Sequence, residues 1–130
     1  MKTKNLKQTA TFNASPHEVY ELLMDSKKHG EFTGGKAAIS RKAGGKFSIY
    51  DGGISGTNLE IVPDKKIVQE WRYDDWLEGH YSVATFAHSK TKTGTKLTFT
   101  QTGIPSERYE DIRQGWADYY WKPMKQALEG

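Results

Sequence analysis

The chain has 130 residues, a formal net charge of +3 and no cysteine. A chain of this length usually forms one domain, so we predict a single domain over residues 1–130. The lack of cysteine excludes disulfide bonds, thiolate metal sites and cysteine nucleophiles. The isoelectric point is near 9.0, but the basic residues are scattered rather than clustered, so no nucleic-acid partner is expected.

No apolar run approaches the roughly 20 residues that a membrane span needs. Residues 1–7 are charged but have no apolar stretch behind them, unlike a signal peptide. We therefore expect a cytoplasmic protein without a membrane span, present as a monomer or a weak dimer.

The first predicted elements are a strand and a short helix. Residues 6–12 alternate apolar and polar side chains, which is typical of a strand with one wet face. Ser15 then suits the N-cap of a helix, Pro16 its first position and Glu18 the return bond of a capping box.

A second short helix is predicted over residues 26–32. Asp25 can cap its start, Phe32 is its apolar anchor, and the glycine pair at 34–35 ends it.

From Ala37 onward the period of the pattern changes to two. Short apolar alternations separated by glycine, proline and aspartate turns favour a sequential antiparallel meander. The predicted strands cover residues 37–40, 46–50, 57–61, 67–73, 81–86 and 96–101.

The C-terminal part predicts one long helix capped by Ser106 and kinked at Pro123. Its apolar stripe at helical spacing consists of Tyr109, Ile112, Trp116, Tyr120, Met124, Ala127 and Leu128. The order of elements predicts an α+β fold in which a curved antiparallel sheet of about six to seven strands wraps around this helix. Such a sheet can leave a space beneath the helix, and such spaces are common ligand sites.

Several strings carry a resemblance to a known family. They are FNASPHEVYELL at 12–23, FTG at 32–34, GGKFS at 44–48, GISGTNLE at 53–60, IVQEWR at 67–72, GTKLTFTQ at 94–101, GIP at 103–105 and GWADYYWKPM at 115–124. Together they resemble the C-terminal domain of the activator of heat shock protein 90 ATPase family. That family is a branch of the START-like, helix-grip (SRPBCC) superfamily, which also includes the birch-pollen allergen and polyketide cyclases.

The resemblance covers nearly the whole chain and implies the helix-grip fold together with a heat shock protein 90-type chaperone as a partner. The eukaryotic co-chaperone also has an N-terminal domain, which the matched strings do not include.

Recognised catalytic and metal motifs are missing from the sequence. The four histidines show no metal-ligand spacing, the glycine pairs lack a phosphate-loop context, and no GxSxG elbow occurs. Asp74 and Asp75 fit acid/base groups at a cavity mouth, but a solvated loop is the favoured interpretation. We predict no catalytic residue, no metal and no cofactor.

The aromatic residues are the strongest functional feature, although filling the core is the alternative for each of them. Ligand pockets are mostly apolar, so these residues are candidates for a cavity lining. The candidates are Phe32, Phe47, Ile49, Leu59, Trp71, Trp76, Tyr81, Val83, Phe99, Trp116, Tyr120 and Met124.

Three functions are consistent with this sequence. The first is a non-catalytic module that holds a small apolar ligand between the sheet and the last helix. The second is a co-chaperone-type interaction domain that acts on a heat shock protein 90 ATPase. The third, a cyclase- or hydrolase-like enzyme, requires a buried ionisable group in the cavity.

Overall fold

A seven-stranded antiparallel sheet is the largest unit of the computed structural model, which describes residues 2–129. From β2 to β7 each strand pairs with the next in sequence, and β1 pairs with β7. This confirms the predicted meander, and β7 extends beyond the predicted end of the sheet. The strands are β1 (Thr3–Phe12), β2 (Ala38–Ile39), β3 (Lys46–Ile49), β4 (Ile54–Val62), β5 (Lys66–Tyr73), β6 (Ser82–Lys90) and β7 (Thr95–Pro105).

Two short helices follow β1, as predicted. Helix α1 (Pro16–Met24) begins with a complete capping box, in which the Glu18 N–H donates to Ser15 Oγ and the Ser15 N–H donates to the Glu18 carboxylate, both over 3.2 Å. In α2 (Ser26–Thr33), the Asp25 carboxylate accepts from the backbone at the start. These caps satisfy N–H groups that have no partner inside a helix.

The C-terminal helix is divided into segments. A short 3₁₀ turn (Ser106–Arg108) leads into α3 (Tyr109–Trp116), a π-helical turn (Ala117–Trp121) and α4 (Lys122–Glu129). The prediction that Ser106 caps this helix is wrong, because its side chain makes no capping bond.

The predicted irregularity near Pro123 takes the form of the π turn. The Lys122 N–H bonds to the Ala117 carbonyl five residues earlier, just before the proline that lacks an N–H. The widened turn brings Trp116 and Trp121 onto one face, where their rings stack with centroids 5.5 Å apart. Tyr120 and Trp121 are consequently both buried although they are neighbours in sequence.

Trp116 lies at the centre of the contact between helix and sheet. Its ring centroid is 4.2 Å from that of Phe99, 4.9 Å from that of Trp71 and 5.8 Å from that of Phe86. Large aromatic rings bury roughly 150–250 Å² each, so this cluster supplies much of the apolar burial of the domain.

Gly56 marks the closest approach between β4 and its surroundings. A Cβ atom built at this position would lie 1.7 Å from the Glu70 carbonyl oxygen and 2.7 Å from the Phe47 ring. Backbone cannot retreat from such a clash without breaking the β4–β5 pairing. Glycine is therefore required there by space rather than by conformation.

We expect Gly56→Ala to lower the free energy of unfolding by about 2 kcal/mol or more, because overpacking forces the backbone to move. Gly115→Ala is the matched control, since a Cβ there meets only a Tyr119 ring atom at 3.7 Å within α3. That control should gain up to about 1 kcal/mol from helix propensity. Urea unfolding measures both, and a wild-type midpoint for Gly56→Ala would show that the strands are not packed in this way.

Candidate functional site

A cleft of about 530 Å³ opens between α3 and the ends of β4 and β5. This volume lies within the range of small-molecule sites. Its walls are largely aromatic and its mouth is charged. The lining residues are Tyr50, Gly53, Ile54, Trp71, Tyr73, Asp74, Arg108, Asp111, Ile112, Gly115, Trp116, Tyr119 and Tyr120.

The two indoles that line the cleft are fixed by hydrogen bonds from behind. Trp71 Nε1 donates to Gln69 Oε1 over 2.8 Å, and Gln69 in turn donates to Asn58. Trp116 Nε1 donates to Gln101 Oε1 over 2.8 Å. Both N–H groups are thus satisfied inside the protein, and the rings are held in defined orientations.

Behind the cleft, Gln101 extends the network to the sheet backbone. Its amide donates to Ser82 Oγ, which donates to the Trp71 carbonyl. Gln101 and Ser82 are fully buried. The amide and hydroxyl therefore tie β5, β6 and β7 to the helix behind the aromatic walls.

Tyr120 joins the cleft to the short helices. Its hydroxyl donates over 2.8 Å to Nε2 of buried His29, whose Nδ1 donates to the Leu23 carbonyl. Burial lowers the pKa of His29 to about 4, so the ring is neutral at pH 7. Burial, with smaller contributions from Tyr50 and Tyr73, raises the pKa of Tyr120 well above its ordinary value.

Tyr50 lines the cleft and combines an unusual backbone conformation with a buried, unpaired polar atom. Its backbone lies in the left-handed region at φ 53°, which is uncommon for a residue other than glycine. Its phenolic oxygen is buried and has no hydrogen-bond partner among residues 2–129. Strained backbone and unpaired polar atoms cost stability and often occur at functional sites.

Charged groups lie at the mouth of the cleft. Asp74 and Asp111 are exposed there, while Arg108 bonds to Asp75 over 2.7 Å. The Arg108 guanidinium lies 6.0 Å from the centroid of the Tyr73 ring. Burial raises the pKa of Tyr73 to about 12, so this phenol is neutral.

Three of the twelve predicted cavity residues line the cleft, namely Trp71, Trp116 and Tyr120. Phe32 is partly buried and packs against Tyr120 and His29. Trp76 is buried beneath the loop after β5, against Tyr73. The remaining buried candidates belong to the filled core: Phe47, Ile49, Phe99 and Met124.

The predicted orientation is wrong for Leu59, Tyr81 and Val83. Leu59 is 47% exposed because an irregularity between Asn58 and Glu60 shifts the register of β4. Tyr81 is 46% exposed and precedes β6. Val83 is partly exposed on the face of β6 opposite the buried one, which consists of Ser82, Ala84, Phe86 and His88.

The sequence pattern did not indicate Tyr50, Tyr73 and Tyr119 as cleft residues, nor His29 as the partner of Tyr120. Tyr73 could have been found, since it shares the inner face of β5 with Trp71 in strict alternation. Tyr50 was assigned to the end of a predicted strand, whereas the chain turns at this residue. Tyr119 lies outside the predicted apolar stripe, and it lines the cleft within the π turn, which regular helical spacing does not predict.

A second enclosed space, beneath α2, measures only about 10 Å³ and is lined in part by His29, Phe47 and Trp71. It is too small for more than a single water molecule. Across residues 2–129 no group of three or more histidine and acidic side chains is placed to hold a metal ion. Within the same range, no helix is long and apolar enough to cross a membrane.

These features define the class of fold. An antiparallel sheet packs around a C-terminal helix, two short helices follow the first strand, and a cleft lies between helix and sheet, as in the helix-grip or START-like fold. A crystal structure of an HSP90 activator from Plasmodium falciparum superposes with a TM-score of 0.88 at 28% identity, covering 95% of both chains. A crystal structure of a protein from Mesorhizobium loti, at 21% identity, shows the same fold with a TM-score of 0.85 over 97% of both chains.

The family model described as Activator of Hsp90 ATPase homolog 1-like protein matches residues 13–129. The human Activator of 90 kDa heat shock protein ATPase homolog 1 is 37% identical over 118 residues, covering 91% of this chain and 35% of that protein. The Hsp90 co-chaperone AHA1 of Saccharomyces cerevisiae is 28% identical, covering 88% of this chain and 35% of that protein. The chain belongs to this family, and it spans about a third of the length of these curated relatives.

Acid should destabilise the fold through His29. The unfolded histidine binds a proton as the pH falls below 6.5, whereas the folded one stays neutral to about pH 4. The unfolded state therefore binds more protons in this window, and stability falls by about 2–3 kcal/mol between pH 7.5 and pH 4.5 from this group.

His29→Gln should reduce this pH dependence, because the amide retains a donor and an acceptor but does not titrate. Urea unfolding at the two pH values measures the difference, with His17→Gln as the matched control at an exposed histidine. Equal pH dependence in wild type and His29→Gln would contradict the assignment.

Proposed function

We propose that this chain is a non-catalytic interaction domain that binds an Hsp90-type ATPase and acts on it as a co-chaperone. One observation carries the proposal: family membership over residues 13–129, with a fold that superposes end to end on a named HSP90 activator. The named curated relatives span longer chains, so the proposal for this domain concerns binding first and stimulation second.

The surface supports an interaction role. Tyr119 is 61% exposed beside the cleft and Leu77 is 66% exposed in the loop after β5. Exposed aromatic side chains are frequent energetic centres of protein interfaces. The buried His29–Tyr120 pair, by contrast, offers no free basic nitrogen to the cleft, which disfavours the enzymatic alternative.

We expect the purified chain to retain the Hsp90-type ATPase of its source organism in a pull-down at micromolar concentrations and to raise its steady-state ATP hydrolysis. Tyr119→Ala should weaken binding several-fold, since truncation of an interface anchor typically costs more than about 1 kcal/mol. Leu59→Ala is the control, because Leu59 is also exposed but lies along β4 away from the cleft.

Absence of retention for the wild-type chain would contradict the proposal. If Tyr119→Ala and Leu59→Ala changed the affinity equally, the chain would still bind the ATPase, but the contact surface would not be centred on Tyr119.

A second candidate is supported by the cleft itself: the domain holds a small, largely apolar ligand. The cleft lies between sheet and helix, is walled by Trp71, Trp116 and Tyr120, and is also lined by Tyr50. Pockets of this size with a few polar groups are the usual form of small-molecule sites.

Native mass spectrometry of freshly purified protein tests this candidate against the denatured mass. A discrete mass excess that is lost on denaturation is the expected result, and its value identifies the ligand class. Gly115→Trp, which introduces a large side chain into the lining, should abolish the excess. A bare polypeptide mass, together with no response to the probes described below, would contradict this candidate.

A further inference from the structure

The charges around the cleft differ in sign from the protein as a whole. The chain carries a net charge of +3, yet the mouth presents the exposed carboxylates of Asp74 and Asp111. The cation among the lining residues, Arg108, is bonded to a third carboxylate, that of Asp75. The cleft therefore has an excess of negative charge at its entrance.

The aromatic walls of the cleft, like its negatively charged entrance, favour a cation. Four tyrosines and two tryptophans line the cleft, and the faces of such rings attract cations. The Trp71 and Trp116 N–H groups are directed into the sheet network, so these indoles present ring surface rather than donors. Arg108, beside the Tyr73 ring, shows that a cation is accommodated at this wall.

From these observations we propose that the cleft binds a small organic cation, an ammonium or quaternary ammonium group attached to an apolar body. The apolar body packs between helix and sheet, and the positive group lies among aromatic faces and mouth carboxylates. The inference rests on the second candidate function, in which the cleft is a ligand site.

The chemistry of the cleft disfavours the other ligand charges. An anion would approach the carboxylates of Asp74 and Asp111, while Arg108, the cation among the described lining residues, is already bonded to Asp75. A neutral ligand would gain only apolar burial. A desolvated cation gains a further attraction to each ring that it contacts, which small-molecule ammonium sites use.

An NMR titration with three related probes tests the proposal: benzyltrimethylammonium, benzyl alcohol and benzoate, at a constant ionic strength of about 0.1 M because the mouth charges are screened by salt. The indole N–H signals of Trp71 and Trp116 report on the cleft. The backbone amide of Val19 in α1, which does not line the cleft, is the internal reference. We expect the cation to bind about tenfold or more tightly than benzyl alcohol, and benzoate to bind most weakly.

Asp74→Asn with Asp111→Asn should weaken binding of the cation about fivefold and leave that of benzyl alcohol unchanged. Glu110→Gln is the matched control. Glu110 lies in the same turn of α3 as Asp111, but its carboxylate does not line the cleft.

The outcomes separate the two levels of the inference. Equal affinities for the cation and benzyl alcohol would overturn the cation preference while the cleft remained a ligand site. No shift of Trp71 or Trp116 with any probe would overturn both. A shift of the Val19 amide as large as those of the two indoles would show nonspecific binding and likewise overturn the proposal.

Discussion

Burial of tryptophan is the constraint on which the rest of this structure depends. An indole supplies large apolar area but brings an N–H that is costly to leave unpaired. Three of the tryptophans solve this in the same way, each donating over 2.8 Å to a glutamine on a strand: Trp71 to Gln69, Trp116 to Gln101 and Trp121 to Gln8. Each pair fixes a ring against the sheet, and two of them also fix the contact between sheet and C-terminal helix.

The same constraint explains where sequence patterns succeed and fail. The inner face of β5 alternates without interruption, so Trp71 and Gln69 could be assigned correctly. In β6 the polar residue Ser82 is buried, where its hydroxyl accepts a hydrogen bond from the Gln101 amide. The more hydrophobic Val83 lies on the opposite face of the strand. In β4 Asn58, the partner of Gln69, is fully buried, whereas Leu59 is exposed. A pattern based on hydrophobicity selects the wrong face at these two positions, because Ser82 and Asn58 are buried to accept hydrogen bonds from the glutamines that hold the indoles.

The overall fold was nevertheless predictable, since element order, capping box and turn glycines each depend on local rules. The cleft was predictable only in part. Trp116 and Tyr120 follow helical spacing, but the π turn that also buries Trp121 and leaves Tyr119 beside the cleft depends on how the helix packs around Pro123. The position of Tyr50 depends on an unusual backbone conformation that no alternation signals.

The cleft exists because the large aromatic side chains around Trp116 do not fill the space between α3 and the ends of β4 and β5. Trp116 is in close contact with Phe99 on one side, whereas α3 also lines the cleft with Gly115, which has no side chain to fill the space. The walls on this side are rings already fixed by Gln69, Gln101 and His29 from behind. A ligand or a partner side chain would therefore meet a preformed surface and need not order it, which lowers the entropic cost of binding. The hydrogen bonds that stabilise the aromatic walls lie behind the rings, and the charged groups lie at the mouth. The domain can therefore bind through the front of these rings without disturbing the hydrogen bonds that hold them.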